Sequence, residues 1–200
     1  MSKLKTHGIT KDTPEQILLG AGAYYKNLKY NEETSSWDGT ILGATTGGGK
    51  VVIQPEYKDL SEDVDGATVS VRGLYKKVGE KANMEVNLLE FNEMNITQAL
   101  HMVEDATAKV PNYKKYVSVR DISDEDYFDN VAFVGTLTSG EQVIVVMENA
   151  LLTGSMELEP KNKEVSKFTI TAECTASFEQ DDLEHLPYAI YYPQAEEVGV

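Results

Sequence analysis

The alternation of apolar and polar residues between positions 65 and 104 predicts two strands followed by a helix. Polar and apolar side chains alternate over residues 68–76 and again over residues 82–88, which is the period of strands with one buried face. The segment between them, residues 77–80, is short and contains a glycine. The two strands are therefore predicted to form an antiparallel hairpin.

The spacing of apolar residues then changes from the period of a strand to that of a helix. They recur at i, i+3, i+4 and i+7, as Ile96, Ala99, Leu100 and Val103. Asn95, with Gln98 three residues later, is typical of a helix N-cap with a capping box, so a helix is predicted over about residues 95–105. Its apolar stripe would pack on the hairpin.

The same patterns predict that residues 14–182 form a single β-rich domain. Further strands are expected at residues 14–30, 50–57 and 116–120, and further hairpins pair residues 131–136 with 142–149 and residues 154–159 with 165–178. Pro55 suggests an edge strand or a strand end. Residues 121–129 fit a single helical turn or a loop. Residues 31–49 are predicted to be a long loop, and residues 1–13 and 183–200 to be N-terminal and C-terminal arms.

This assignment of strands and helix predicts which side chains form the core. The strands should bury Val69, Val71, Met84, Val86, Leu88, Phe168, Ile170, Ala172 and Cys174. Ile96, Leu100 and Val103 of the helix should pack against them.

Composition limits the classes of protein to which such a domain can belong. The chain has 200 residues and is 41% hydrophobic, which is enough for one well-packed domain. No apolar run approaches the roughly 18 residues of a membrane span, and the polar N-terminus lacks a signal-peptide core, so a soluble protein made in a cytoplasm is expected. A formal charge of -15 repels nucleic acid and anionic membranes, which argues against a direct DNA or RNA reader.

The residues that most often carry chemistry are few and scattered. Cys174 is the only cysteine, so an intramolecular disulfide is excluded and a small buried core residue is expected. His7, His101 and His185 lack the paired spacing of a zinc site. No metal-binding residue is therefore predicted, and no glycosidase pair of carboxylates is marked by the local sequence.

Two motifs come close to known binding loops without matching them. Residues 43–50 are similar to a phosphate-binding loop, but Gly49 stands where the lysine belongs and Val51 follows Lys50 in place of Ser or Thr. Residues 121–126 alternate carboxylates as a calcium loop does, but Asp126 occupies the position that requires glycine. No catalytic or cofactor-binding residue is predicted from either.

A series of segments resembles the major tail tube proteins of long-tailed, siphovirus-type bacteriophages over most of the chain. The segments are Asp65-Gly66-Ala67, Val71-Arg72-Gly73-Leu74, Gly79-Glu80-Lys81-Ala82, and residues 84–90, 147–159, 168–178 and 183–193, the last with Tyr191-Tyr192-Pro193. The shared features are patterns of strand, helix and turn rather than a chemical signature.

The resemblance implies a β-sandwich or barrel-like fold with one flanking helix, similar to the type VI secretion tube protein. It also implies hexameric rings that stack into a hollow tube, with no catalytic residue and no cofactor. The implied partners are other copies of the chain and further tail proteins, namely tape measure, tail terminator and distal tail proteins. DNA would pass through the lumen without specific binding. The implied location is the tail of the virion, with host cytoplasm during assembly.

Within such a tube, the polar strand faces are expected to line the lumen and the aromatic residues of the loop and tail to contact neighbouring subunits. The expected lumen residues are Ser70, Asn83, Glu85, Asn87, Thr171, Glu173 and Thr175. The expected inter-subunit residues are Trp37, Tyr188, Tyr191 and Tyr192. Part of the acid excess should line the bore; in the alternative arrangement it lies outside and the bore is neutral.

Two functions of other classes fit the residues as well: a β-sandwich carbohydrate-active hydrolase and a carbohydrate-binding module. Neither of them requires self-assembly, so a measured molecular mass distinguishes both from a tube subunit.

Overall fold

The computed structural model describes residues 6–156, 162–163, 165–178, 183 and 185–194. They contain ten strands and one α-helix: β1 (Leu18–Asn31), β2 (Ser36–Ile41), β3 (Thr45–Asp59), β4 (Tyr75–Leu88), α1 (Glu93–Ala99), β5 (Met102–Glu104), β6 (Tyr116–Ser118), β7 (Tyr127–Leu137), β8 (Gln142–Ser155), β9 (Phe168–Cys174) and β10 (Tyr188–Tyr191). Single 3-10 turns lie at Leu60–Asp63 and Asp124–Asp126. The protein is mainly β with one helix, as predicted. Parts of the predicted arm 1–13, strand 154–159 and tail 183–200 fall outside the described residues.

Eight strands form one antiparallel sheet. The order across it is β2-β1-β7-β8-β9-β4-β3, and β10 pairs with β8 beside β9. Strands β5 and β6 form a separate two-stranded sheet next to the helix. The predicted hairpin of residues 131–136 with 142–149 is confirmed by the pairing of β7 with β8.

The sheet coils around one core. Strands from both ends of the strand order contribute to the same apolar cluster, whose largest fully buried members are Tyr24, Phe168, Leu42, Met84, Leu88 and Met147. A flat sheet could not bring β1 and β3 to one cluster, so the twist must be strong. A smaller cluster of Leu28, Ala132, Ile144 and Val146 lies on the opposite face of β7 and β8.

The predicted alternation is confirmed in β4 and β9. Ala82, Met84, Val86 and Leu88 are buried, and so are Phe168, Ile170, Ala172 and Cys174. In the structure β9 ends at Cys174 rather than at residue 178, and its partner β8 extends to Ser155. Pro55 lies in β3, the last strand of the sheet order. An edge strand suits proline because proline has no N–H to donate to a further strand.

The predicted hairpin of residues 68–76 with 82–88 is wrong. Strand β4 is continuous from Tyr75 to Leu88 and pairs with β3 and β9. Val69 and Val71 are 72% and 44% exposed instead of buried. The physical reason is local hydrogen bonding: Ser61 Oγ accepts from the Val71 N–H at 2.8 Å, and Asp59 Oδ1 accepts from the Ser61 N–H at 2.9 Å. These bonds order the segment as a loop.

The predicted long loop of residues 31–49 is also wrong, because it contains β2 and the start of β3. Trp37 pairs with Tyr30 across the β1–β2 hairpin. The glycine run at its end enters β3. A Cβ at Gly49 would collide with the Tyr24 hydroxyl, so glycine lets β1 and β3 approach each other across the core.

The helix begins and ends earlier than predicted. Asn92, not Asn95, is the N-cap, because its Oδ1 accepts from the Asn95 N–H at 2.8 Å. The buried Asn95 side chain instead donates to the Leu42 carbonyl at 2.7 Å. Close packing of the helix on β8 requires Gly154, since a Cβ there would stand 2.9 Å from Ala99 Cβ.

Val103 was expected in the core and is exposed in β5, whereas Ile96 and Leu100 are half-buried. His101, with φ of +48°, lies between the end of the helix and β5.

The C-terminal tail is not a free arm over its described part. Tyr188–Tyr191 form β10, which pairs with residues 144–147 of β8. At the other terminus, residues 6–13 contain no strand or helix.

Two valines test the corrected assignment. Val86→Ala should lower the free energy of unfolding by about 1.5–3 kcal/mol, because it empties part of the core. Val69→Ala, the same change at an exposed position, should stay within about 0.5 kcal/mol of the wild type. Denaturant unfolding of both variants measures the difference, and equal losses would contradict the assignment.

Candidate assembly and wall surfaces

Most of the residues expected to line a lumen lie together on the outer face of β4 and β9. Asn83 is opposite Glu173, and Glu85 is opposite Thr171, so these side chains are cross-strand neighbours. Asn87 Oδ1 accepts from Thr169 Oγ1 at 2.7 Å in the next pair. The period of two that buries one face of these strands presents a continuous polar surface on the other.

This polar face extends across the neighbouring strands and carries two lysines and three glutamates. In β3, Lys50 lies opposite Glu85, and Lys81 of β4 points to the same side. Strand β8 adds Thr153 and other neutral residues beside β9. Glu56 of β3 is on this side as well and pairs with Lys81 at 3.0 Å, so the two lysines are accompanied by Glu56, Glu85 and Glu173. We call this face, formed by the outward residues of 50–56 in β3, 81–87 in β4, β9 and residues 151–155 of β8, the wall face.

Two residues expected on the wall face are elsewhere. Ser70 lies in the loop before β4, where its Oγ is 3.3 Å from the Tyr75 hydroxyl. Thr175 follows the end of β9 and donates its hydroxyl to the Asn149 carbonyl at 2.6 Å. Both were placed by extending an alternating pattern beyond the strand in which it holds.

Three of the four aromatic residues expected between subunits make contacts within the subunit. Trp37 packs edge to face against Tyr30 and Tyr191, with ring centroids 5.4 and 4.9 Å apart. These contacts join β1, β2 and β10. Tyr192 is exposed, and the Tyr188 hydroxyl donates a hydrogen bond to Glu80.

A nearly buried carboxylate fixes the C-terminal segment to the sheet. The Glu80 side chain, 4% exposed, binds Lys77 Nζ at 2.7 Å and accepts from the Tyr188 hydroxyl at 2.7 Å and the Leu186 N–H at 3.3 Å. The bonds from Lys77 and Tyr188 lower the pKa of Glu80 to about 2. We call this group the clasp. Beneath the segment, burial raises the pKa of the Cys174 thiol to about 12, so the thiol is no nucleophile.

One exposed apolar surface was not predicted from the sequence. Strands β3 and β4 extend beyond the sheet as a two-stranded ribbon, residues 54–59 paired with 75–81, since β9 pairs with β4 only from Asn83 onward. Residues 60–74 connect the two strands, and we call them the tip. Exposed apolar side chains follow both segments: Tyr57, Tyr75 and Val78 on the ribbon, and Val64, Val69 and Val71 on the tip.

A signal for this surface was present in the sequence. The alternating valines of the tip stand among acidic residues that no core would hold. Alternation shows that the two sides of a segment differ, but it does not show that the chain's own core covers the apolar side.

A second exposed patch lies beyond the other end of β4. The β5–β6 hairpin carries Val110 and Tyr113 at its loop, both exposed. At its base, Glu93 of the helix pairs with Lys114 at 2.8 Å and accepts a hydrogen bond from the Tyr116 hydroxyl. Asp105 accepts from Lys115 at 2.8 Å and from the hydroxyl and N–H of Thr107, which lower its pKa to about 2. The hairpin is thus ordered although it is exposed.

The motifs that resemble binding loops are part of ordinary secondary structure. Residues 43–50 lead into β3, and Asp124–Asp126 form a 3-10 turn with Ser123 as its capping residue. Within the described residues, no three His, Cys, Asp or Glu side chains are placed to share a metal ion. His101 Nδ1 is 3.9 Å from Asp126 Oδ1, so the pair alone could supply no more than two ligands.

Acid should loosen the clasp. The pKa of Glu80 is about 2 in the folded protein against an ordinary 4.5, so its stabilising effect is complete above pH 4.5 and is lost as the pH falls toward 2. Detachment of β10 separates Tyr191 from Trp37, the single tryptophan, so tryptophan fluorescence reports it. Glu80→Gln should remove this transition, and the idea fails if that variant titrates as the wild type does.

Comparison with known proteins adds no identification. Neither a scan of protein-family models nor a search of curated proteins finds a match to this chain. Among the described residues, no helix is both long and apolar enough to cross a membrane.

Proposed function

We propose that this chain is the structural subunit of a bacteriophage or prophage tail tube. In this proposal it forms hexameric rings that stack into a hollow tube, in a fold similar to that of the type VI secretion tube protein. The observation that carries the proposal is the ribbon. It projects from a well-packed domain with an ordered, apolar surface that the described residues of the chain leave uncovered.

A two-stranded ribbon is marginally stable in water by itself, and unpaired strand edges are sites where other chains add. Lys58 stands directly opposite Lys76 in the ribbon, which is an unfavourable pair unless other groups offset it. Within the subunit, Lys58 Nζ forms an ion pair with Asp63 Oδ2 at 2.7 Å. Packing against a neighbouring copy would cover the apolar side chains and stabilise the ribbon.

The sheet also offers two different edges for joining subunits in a ring. Strands β2 and β3 stand at opposite ends of the strand order. Contacts between two unlike surfaces of identical subunits are head-to-tail, and such contacts close into rings when the rotation per subunit allows it. Six subunits per ring is the number that the resemblance implies.

The wall face suits a lumen through which DNA passes without adhering. Strong, salt-dependent binding of DNA needs clustered Lys and Arg, and here each lysine is balanced by a glutamate. We assign Asn83, Glu85, Asn87, Thr171 and Glu173 to the lumen on this basis. The negative charge is concentrated in loops, which favours a nearly neutral bore over an acidic one.

The role proposed is structural and requires no catalytic residue or cofactor. The partners would be other copies of the chain, together with the tape measure, tail terminator and distal tail proteins. The protein would reside in the virion tail, and in the host cytoplasm during assembly.

Self-assembly is the first test. Concentrated protein should form rings and tubes in negative-stain micrographs, and its mass in solution should correspond to six subunits or multiples of six. A hydrolase or a carbohydrate-binding module needs neither. A strictly monomeric protein at every concentration would contradict the proposal.

The charge balance of the lumen gives a second test. In the variant Glu85→Lys with Glu173→Lys, the wall face would carry four lysines and one glutamate, Glu56. Both glutamates are exposed, so folding and tube formation should persist. Short duplex DNA should bind these tubes at low salt and dissociate as salt rises.

The control places the same two charges in the β1–β2 turn, as Glu32→Lys with Glu33→Lys. Equal DNA binding by the two sets of tubes would contradict the assignment of the wall face to the lumen.

A further inference from the structure

Two exposed loops of this chain carry charges of opposite sign. Residues 60–71, most of the tip, contain three acidic side chains and no Lys or Arg: Glu62, Asp63 and Asp65. Residues 106–115, the loop of the β5–β6 hairpin, contain three lysines and no acid: Lys109, Lys114 and Lys115. We call the second segment the basic loop. This separation stands out in a chain whose acids exceed its bases by fifteen.

Some of these charges are already paired within the subunit and others are available. Asp63 binds Lys58, while Lys114 and Lys115 bind Glu93 and Asp105. Within the described part of the chain, Glu62, Asp65 and Lys109 make no ion pair. The tip therefore offers two acidic groups to a partner, with the exposed Arg72 near its end, and the basic loop offers one lysine.

Both loops also offer large apolar side chains to a partner. Val69 of the tip is 72% exposed, and Tyr113 of the basic loop is 77% exposed, with Val64 and Val110 exposed beside them. An apolar centre edged by complementary charge is the usual composition of a specific protein interface.

The two loops lie beyond opposite ends of β4. The tip precedes Tyr75, and the helix and β5–β6 hairpin follow Leu88. At about 3.3 Å per residue, the fourteen residues of β4 span roughly 45 Å, so the loops cannot meet within one subunit. They are placed to meet between two copies arranged end to end.

Neither loop needs a partner to acquire its conformation. Hydrogen bonds from Ser70 and Ser61 lower the pKa of Asp59, at the base of the tip, to about 2. Hydrogen bonds from Lys115 and Thr107 lower the pKa of Asp105, at the base of the basic loop, to about 2 as well. Ordered loops lose less conformational entropy when they bind, which favours association.

We propose that the tip of one copy docks on the basic loop of the next copy along the tube axis. The proposal rests on the proposed function for its ring, and it names the surfaces that stack one ring on another. Because the two surfaces differ and lie at opposite ends, each added ring presents the same free surface again, so stacking has no built-in limit.

Cross-linking between two single-cysteine variants tests this contact. Val69→Cys and Tyr113→Cys change exposed residues, and the native Cys174 is buried, so a short bismaleimide reagent should react only at the new thiols. Mixed tubes of the two variants should give cross-linked dimers. Tubes of either variant alone, and of the wild type, should give none. The pair Val64→Cys with Val110→Cys repeats the test at neighbouring positions.

Micrographs of the same samples separate the possible failures. Tubes without mixed dimers from either pair would overturn the docking proposal and leave the tube intact. Dimers from Val69→Cys alone would show that tip meets tip, which also overturns it. The absence of rings and tubes would count against both proposals.

A charge exchange gives an independent measurement. Asp65→Lys and Lys109→Glu should each cause loss of tubes in favour of single rings, because each places like charges at the contact. The double variant should restore tubes, since every copy then carries the exchanged pair. Asp12→Lys, an exposed acid outside the tip, should leave tubes unchanged. A double variant no better than either single variant would overturn the contact.

Discussion

The strand β8 is the element on which the rest of the structure depends. Residues 142–151 pair with β7 along one edge, and the other edge is divided between β10, at residues 144–147, and β9, from Ala150 onward. Between the two stands Asn149, with a φ of +47°. An asparagine tolerates this left-handed conformation, which interrupts the extended backbone and lets β8 bend. Asn149 thus stands between the part of β8 that pairs with β9, next to the wall face, and the part that pairs with β10, which the clasp holds.

Where burial is one-sided and complete, the sequence was sufficient to predict the strands. Strands β4 and β9 alternate over six or seven residues because the core covers one face and solvent the other, and the burial expected for the apolar residues of these two strands is confirmed. The same alternation led to error at Val69, where Ser61 and Asp59 organise a loop by hydrogen bonds to the backbone. The alternation of apolar and polar side chains does not show where such hydrogen bonds to the backbone will form. Similarly, two asparagines three residues apart both fit an N-cap, and only the tertiary contact of Asn95 with Leu42 decides between them.

The wall face was predictable in part and the assembly surfaces hardly at all. The outward positions of β4 and β9 follow from the same alternation that defines the core, whereas their balance of charge depends on Lys50 in a third strand and therefore on register. The aromatic residues misled for a related reason. Trp37 and Tyr191 are far apart in sequence, so their mutual contact within one subunit could not be predicted. Both side chains were therefore expected to contact neighbouring subunits. Only the topology shows that the ribbon projects beyond β9, and only the exposures show that the valines of the ribbon and tip are not covered by the described part of the chain.

In the proposed tube, copies of a chain with a net charge of -15 would have to associate against their mutual repulsion. At physiological ionic strength the Debye length is about 8 Å, so exposed charges farther apart than this are largely screened, and those at the contact dominate. In the proposed stacking, a tip with three acids and one arginine and a basic loop whose charged residues are all lysines would attract each other, while the remaining acids disfavour other contacts. The overall charge would then select the end-to-end arrangement, because it penalises disordered aggregation more than the one contact in which opposite charges meet.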